Sequence, residues 1–120
     1  MRYRNNRVGE PISLLGYGCM GFSHKGATLD FGKAEAELLR AKELGVNYFD
    51  TAYYYCHGNS EIAIGKALAP IRDKVNISTK IPMDKVNCPE DYEKILDESL
   101  AKLGTDYVDF YHFWGINQKV

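Results

Sequence analysis

Asp30 to Ala52 reads DFGKAEAELLRAKELGVNYFDTA, and this stretch sets the architecture. Ala34, Leu38 and Ala41, with Leu39 and Leu44 nearby, recur at steps of three and four, the spacing of one helical face. A helix is therefore expected over Asp30–Leu44. Gly45 offers the left-handed residue that ends many helices, and Val46 to Ala52 (VNYFDTA) turns β-prone. The chain on either side repeats this alternation. Ser60 to Leu68 (SEIAIGKAL) is helical in pattern, with Asn59 or Ser60 available as N-cap. Val75 to Ile81 (VNISTKI) is again a strand, stopped by Pro82. Pro89 to Leu103 (PEDYEKILDESLAKL) is the clearest helix, with Pro89 at its first position and Glu90 and Asp91 suiting the positive end of its dipole. Tyr92, Ile95, Leu96, Ser99, Leu100 and Leu103 form its expected buried stripe, and Gly104 ends it. Tyr107 to Trp114 (YVDFYHFW) is a last, aromatic strand.

Toward the N-terminus, Leu14 to Gly18 (LLGYG) supplies a first strand closing on Gly-Cys-Met-Gly, after a short N-terminal strand or hairpin. Strands alternating with helices imply crossover connections and a parallel sheet. Four such strands and three helices fit the first half of a (β/α)8 TIM barrel, as one partial barrel domain over residues 1–120. A full barrel takes about 250 residues, whereas this sequence has 120. The expectation is a truncated chain, one that pairs through its open sheet edges, or a rearranged small fold.

Composition narrows the function classes. Hydrophobic residues are 45% and charged residues 26%, a globular balance that argues against disorder. Lys and Arg number 15 against 16 Asp and Glu, giving a net charge of −1 with signs mixed along the chain. Nothing draws such a chain to nucleic acid or an anionic membrane. No apolar run spans a bilayer, and no apolar stretch follows the basic start as a signal peptide requires, so a cytoplasmic chain is expected. Cys19, Cys56 and Cys88 are too scattered for a disulfide framework or zinc site, so no metal is expected.

Barrel function gathers at the C-terminal ends of the strands. There the sequence places Gly18-Cys19-Met20-Gly21, then Asp50 followed by Tyr53-Tyr54-Tyr55-Cys56-His57, then Lys80, then His112 and Trp114 on one strand face. An Asp, a Tyr and a Lys at one rim make a proton-transfer set. A tyrosine holds its proton at neutral pH, and a nearby ammonium stabilises the phenolate, making the ring a usable acid toward a developing alkoxide. A carboxylate beside the lysine keeps it charged and oriented. Cys56 would become a reactive thiol if Lys80 lowered its pKa.

Four blocks in order, LGYGCMGFS (Leu15–Ser23), ELGVNYFDTAYYYCHGNSE (Glu43–Glu61), RDKVNISTKI (Arg72–Ile81) and ESLAKLGTDYVDFYHFWGIN (Glu98–Asn117), resemble the N-terminal part of the aldo-keto reductases. The resemblance implies the TIM barrel and metal-free reduction of a small aldehyde or ketone with NADPH or NADH. It implies Asp50, Tyr55 and Lys80 as catalytic residues, Tyr55 standing five residues after the aspartate. It implies Gly18, Cys19, Met20 and Asp50 beside the nicotinamide. The family's fourth catalytic residue, a histidine, is replaced by Trp114, and Cys56 stands where glycine usually follows the tyrosine. Because the remaining cofactor contacts come largely from later strands, the 120-residue chain is expected to bind cofactor weakly and to have little activity alone. The alternative is a noncatalytic half-barrel module that self-associates or pairs with another chain.

Overall fold

The computed structural model describes residues 1–117, so positions 118–120 of the expected domain lie outside the described residues. In chain order it contains β1 (Tyr3–Asn5), β2 (Pro11–Ser13), β3 (Tyr17–Gly18), β4 (His24–Lys25), β5 (Thr28–Leu29) and α1 (Phe31–Glu43). There follow β6 (Tyr48–Asp50), α2 (Asn59–Leu68), β7 (Asn76–Pro82), α3 (Glu90–Leu103) and β8 (Phe110–Trp114). The sheet has the order β3-β6-β7-β8 and every pair in it is parallel. Four parallel strands joined by three helices are the expected part of a TIM barrel. β1 and β2 form the N-terminal hairpin, and β4–β5 form a second small hairpin around Gly26 that two-residue strands leave invisible in sequence.

Three strands are shorter than their sequence patterns. At the start of two of them a side chain takes one bond on one side of the ladder while the backbone still pairs on the other. Asn47 Oδ1 accepts the Ser13 N–H at 2.8 Å while Ser13 Oγ accepts the Asn47 N–H at 3.1 Å, so β6 starts only at Tyr48. Leu14 and Leu15 are exposed, and the first parallel strand shrinks to Tyr17–Gly18. Asp109 Oδ2 accepts the Ile77 N–H at 2.8 Å and holds Arg72 at 2.9 Å, which delays β8 to Phe110. Arg72 also donates to the carbonyls of Val75 and Tyr107 and lies over the Tyr107 ring.

Helix ends also differ from expectation. Asp30 is the N-cap of α1, accepting the Lys33 N–H at 3.1 Å, so the helix itself begins at Phe31. Leu39 and Leu44 are exposed: Leu39 sits about 100° around from Leu38, and Leu44 lies past the last turn. Neither Asn59 nor Ser60 caps α2; left-handed Gly58 leads into it, and the Ser60 hydroxyl is buried against Cys19 O and Thr51. Pro89 is the N-cap of α3 rather than its first residue. Of the expected stripe, Ile95, Ser99 and Leu103 are buried and Leu96 and Leu100 half-buried. Tyr92 is exposed, its ring meeting Phe113 edge-on at the β8 border of the sheet.

The core lies between the helices and one sheet face. Phe49 and Ile77 pack there with Leu38, Ile64, Leu68 and Leu103, each worth about 1.5–3 kcal/mol when fully buried. The register then fixes the opposite face. Gly18, Asp50, Ser78 and Phe110 are successive partners across all four strands, and Lys80 pairs with His112 two residues further on. Among the described residues no helix is long and apolar enough to cross a membrane.

Candidate active site

Asp50 ends β6, Lys80 lies near the end of β7, and Tyr55 begins a tight 3-10 turn over Tyr55–Gly58. The fold brings all three together. The Lys80 ammonium donates to Asp50 Oδ2 at 2.7 Å, to the Thr51 carbonyl at 2.7 Å, and toward Tyr55 Oη at 3.3 Å. With its three protons so directed, the ammonium links the carboxylate to the phenol. The pair is largely sheltered, the side chains of Lys80 and Asp50 being 18% and 34% exposed. Ser78 was not singled out in the sequence, yet its hydroxyl donates to the other oxygen of Asp50. The signal was alternation: Ser78 shares Lys80's strand face, two residues before it.

The turn carrying Tyr55 is unusual. Cys56 and His57 have φ of +54° and +55°, and Gly58 follows at +85°. A left-handed non-glycine residue costs about 1–2 kcal/mol. His57 is exposed, so His57→Gly removes strain without unpacking anything. It is expected to stabilise the chain by up to about 1 kcal/mol in urea unfolding, the gain being trimmed by glycine's extra freedom in the unfolded chain.

Aromatic rings wall the site. Trp114 lies 5.8 Å from Tyr55 in an edge-on arrangement and 5.8 Å from Tyr54, which in turn meets Tyr53 at 5.4 Å. His112 shares the Lys80 row and is exposed. The Gly18–Met20 segment is divided. Gly18 neighbours Asp50 in the sheet and Met20 is exposed, but Cys19 is fully buried in the core, its N–H donating to the Asp50 carbonyl and its own carbonyl accepting from Ser60, so no part of it is open to a ligand. Burial raises its thiol pKa well above the usual range. Burial raises the Cys56 thiol too, and Lys80 is not among the groups that lower it. Among the described residues no three or more His, Cys, Asp or Glu side chains cluster as a metal ion would need.

The family model of the aldo/keto reductases matches residues 14–117, which contain every residue of this site. The chain belongs to the aldo/keto reductase family. A relative named as a probable voltage-gated potassium channel subunit beta, from Oryza sativa subsp. japonica, is 35% identical over 91% of this chain and 36% of that one. The aldo-keto reductase yakc [NADP(+)] of Schizosaccharomyces pombe is 30% identical over 86% of this chain and 34% of its own. Among solved structures, the thermostable aldo-keto reductase Tm1743 bound to epalrestat superposes with a TM-score of 0.81 at 34% identity, covering 100% of this chain and 45% of that one. An aldo/keto reductase of Klebsiella pneumoniae in complex with NADP and acetate gives 0.76 at 25% identity, covering 87% and 36%. The chain thus spans about a third of the length of the curated relatives it matches.

Proposed function

We propose that this chain carries the proton-transfer half of an NAD(P)H-dependent carbonyl reductase, with Tyr55 as proton donor to a small aldehyde or ketone. One observation carries the reading: a single ammonium, Lys80, is shared between the Asp50 carboxylate and the Tyr55 hydroxyl. As Tyr55 releases its proton to the carbonyl oxygen, negative charge grows on Oη, and the ammonium beside it offsets that charge. Asp50, anchored by Ser78, keeps the ammonium aimed. Trp114 stands where the family has a histidine, and its one N–H can donate but not accept. Its ring instead lies edge-on to that of Tyr55.

The nicotinamide cofactor fits the residues present. A Cβ built on Gly18 would meet nothing within 4 Å, which leaves open ground beside Asp50. The backbone of Gly18 and the exposed Met20 would flank the ring, and a bound NADPH would supply the hydride. NADPH is favoured over NADH because the yeast and Klebsiella relatives are described with NADP.

The test is direct. Trp114 is the only tryptophan in the sequence and lies within the site, so NADPH titration is expected to quench its fluorescence saturably. Addition of an aromatic or aliphatic aldehyde is then expected to oxidise NADPH slowly, in keeping with the weak cofactor binding and low activity expected of four barrel strands alone. A folded chain that quenches without any aldehyde-dependent oxidation, or that does neither, overturns the proposal.

A further inference from the structure

The proton-donor reading leaves a buried carboxylate unexplained. Glu61 in α2 is fully inaccessible. Its Oε1 accepts from the hydroxyls of Thr79 and Ser99, each at 3.1 Å, one from the sheet and one from α3. Its Oε2 is buried, makes no hydrogen bond to a described residue, and faces the Lys102 ammonium at 3.8 Å. A carboxylate held this way is costly unless a cation stands against it. Burial accordingly pushes Glu61 up and Lys102 down from their ordinary pKa values.

What Lys102 does with its remaining reach is the informative part. Its Nζ donates to the Tyr53 carbonyl at 3.2 Å and sits 3.9 Å from the centre of the Tyr53 ring. A Cβ placed on Gly58 would stand 3.8 Å from the same atom. One ammonium is therefore bonded to the Tyr53 end of the span Tyr53–Gly58 and lies near its Gly58 end. In the middle of that span is Tyr55, followed by the left-handed residues Cys56 and His57. Backbone strain of this kind persists only where the surroundings hold it. The Tyr53 hydroxyl is tied as well, donating to Glu98 on α3, with Lys85 over the ring.

We propose that Lys102, held in place by Glu61, is a positioning residue that clamps the Tyr53–Gly58 turn and so sets where Tyr55 presents its hydroxyl. It touches neither Lys80 nor the reacting atoms and acts only through the turn. The function assigned to it rests on Tyr55 being the proton donor; the clamp itself does not.

An ion pair that merely ties α2 to α3 makes a different prediction. Lys102→Met keeps the apolar stem but strands a buried charge, so its folding is uncertain ground for a test. The double variant Glu61→Gln/Lys102→Met removes the charge problem and keeps an acceptor for Thr79 and Ser99, yet still lacks the bond to the Tyr53 carbonyl. If the clamp is real, the double variant melts near wild type while Trp114, which packs on Tyr54 and Tyr55, becomes more accessible to acrylamide quenching. In the same variant kcat for NADPH-dependent aldehyde reduction is expected to fall about 10- to 100-fold with KM nearly unchanged, since a displacement near 1 Å at the reacting group has that effect. Wild-type quenching in the double variant overturns the clamp and leaves only a structural ion pair. Tyr55→Phe, which keeps the turn, separates the two ideas. If it leaves reduction intact, or if wild type shows none, the proton-donor reading fails, and the Trp114 quenching still decides the clamp.

Discussion

Gly65→Ala is expected to destabilise the chain by at least about 3 kcal/mol, the upper end of what overpacking a core does, and to lower the urea midpoint accordingly. Gly65 lies in α2 where it crosses α3. A Cβ there would stand 2.4 Å from the Leu103 oxygen, 2.6 Å from its carbonyl carbon and 2.8 Å from its Cα. All three are backbone atoms, so no side-chain rotation can relieve the clash. The helices must separate instead, opening a gap beside Ile64, Leu68 and Leu103, which the present spacing buries completely or nearly so. Alanine's better helix propensity, worth about 1 kcal/mol over glycine, works against this loss but does not match it. Movement of α3 would also carry Lys102 away from Tyr53, so the Trp114 environment should change with the stability. A Gly65→Ala chain that unfolds at the wild-type midpoint would mean that the two helices slide apart freely.

Gly65 also marks where sequence reasoning stops. The helix–strand alternation was legible because breakers stand at its joints: Gly45 and Gly104 both adopt positive φ at helix ends, and β7 closes on Pro82. Within SEIAIGKAL, however, Gly65 reads only as a weak helical residue; its close approach to a carbonyl 38 positions later is a tertiary fact. Strand ends failed for a related reason. Local patterns assume that backbone pairs with backbone, whereas Ser13, Asn47 and Asp109 each put a side chain in place of one such bond. The Asp50, Tyr55 and Lys80 positions were legible through the family motifs, and the structure brings those side chains together. Ser78 was within reach of simple alternation. Glu61 and Lys102 were not, because a carboxylate in a helical pattern is ordinarily exposed. Only the packing of α2 against β7 and α3 shows it buried.

Tyr55→Phe is expected to lower kcat for aldehyde reduction by about 10²- to 10⁴-fold, the usual contribution of a positioned general acid, while leaving NADPH-dependent quenching of Trp114 in place. The substitution is nearly isosteric. Phenylalanine keeps the ring that meets Trp114 edge-on, and keeps a face for the Lys80 ammonium, now 4.8 Å from the ring centre. It removes only the Oη that Lys80 contacts. Asp50 still holds Lys80, and Thr51 still accepts its second hydrogen bond, so the site does not collapse around an unpaired charge. Lys80→Met should be comparably damaging to turnover but for a different reason. There the hydroxyl remains, and what is lost is the cation that offsets charge on Oη as the proton leaves. That variant also leaves Asp50 without its cation, only the Ser78 hydroxyl still donating to it, so its stability should fall while that of Tyr55→Phe does not. The contrast separates the two roles: equal losses of rate with unequal losses of stability fit a donor and its supporting cation. A Tyr55→Phe chain that reduces aldehydes at the wild-type rate would remove Tyr55 from the chemistry and point to water or His112, exposed on the same strand face, as the proton source.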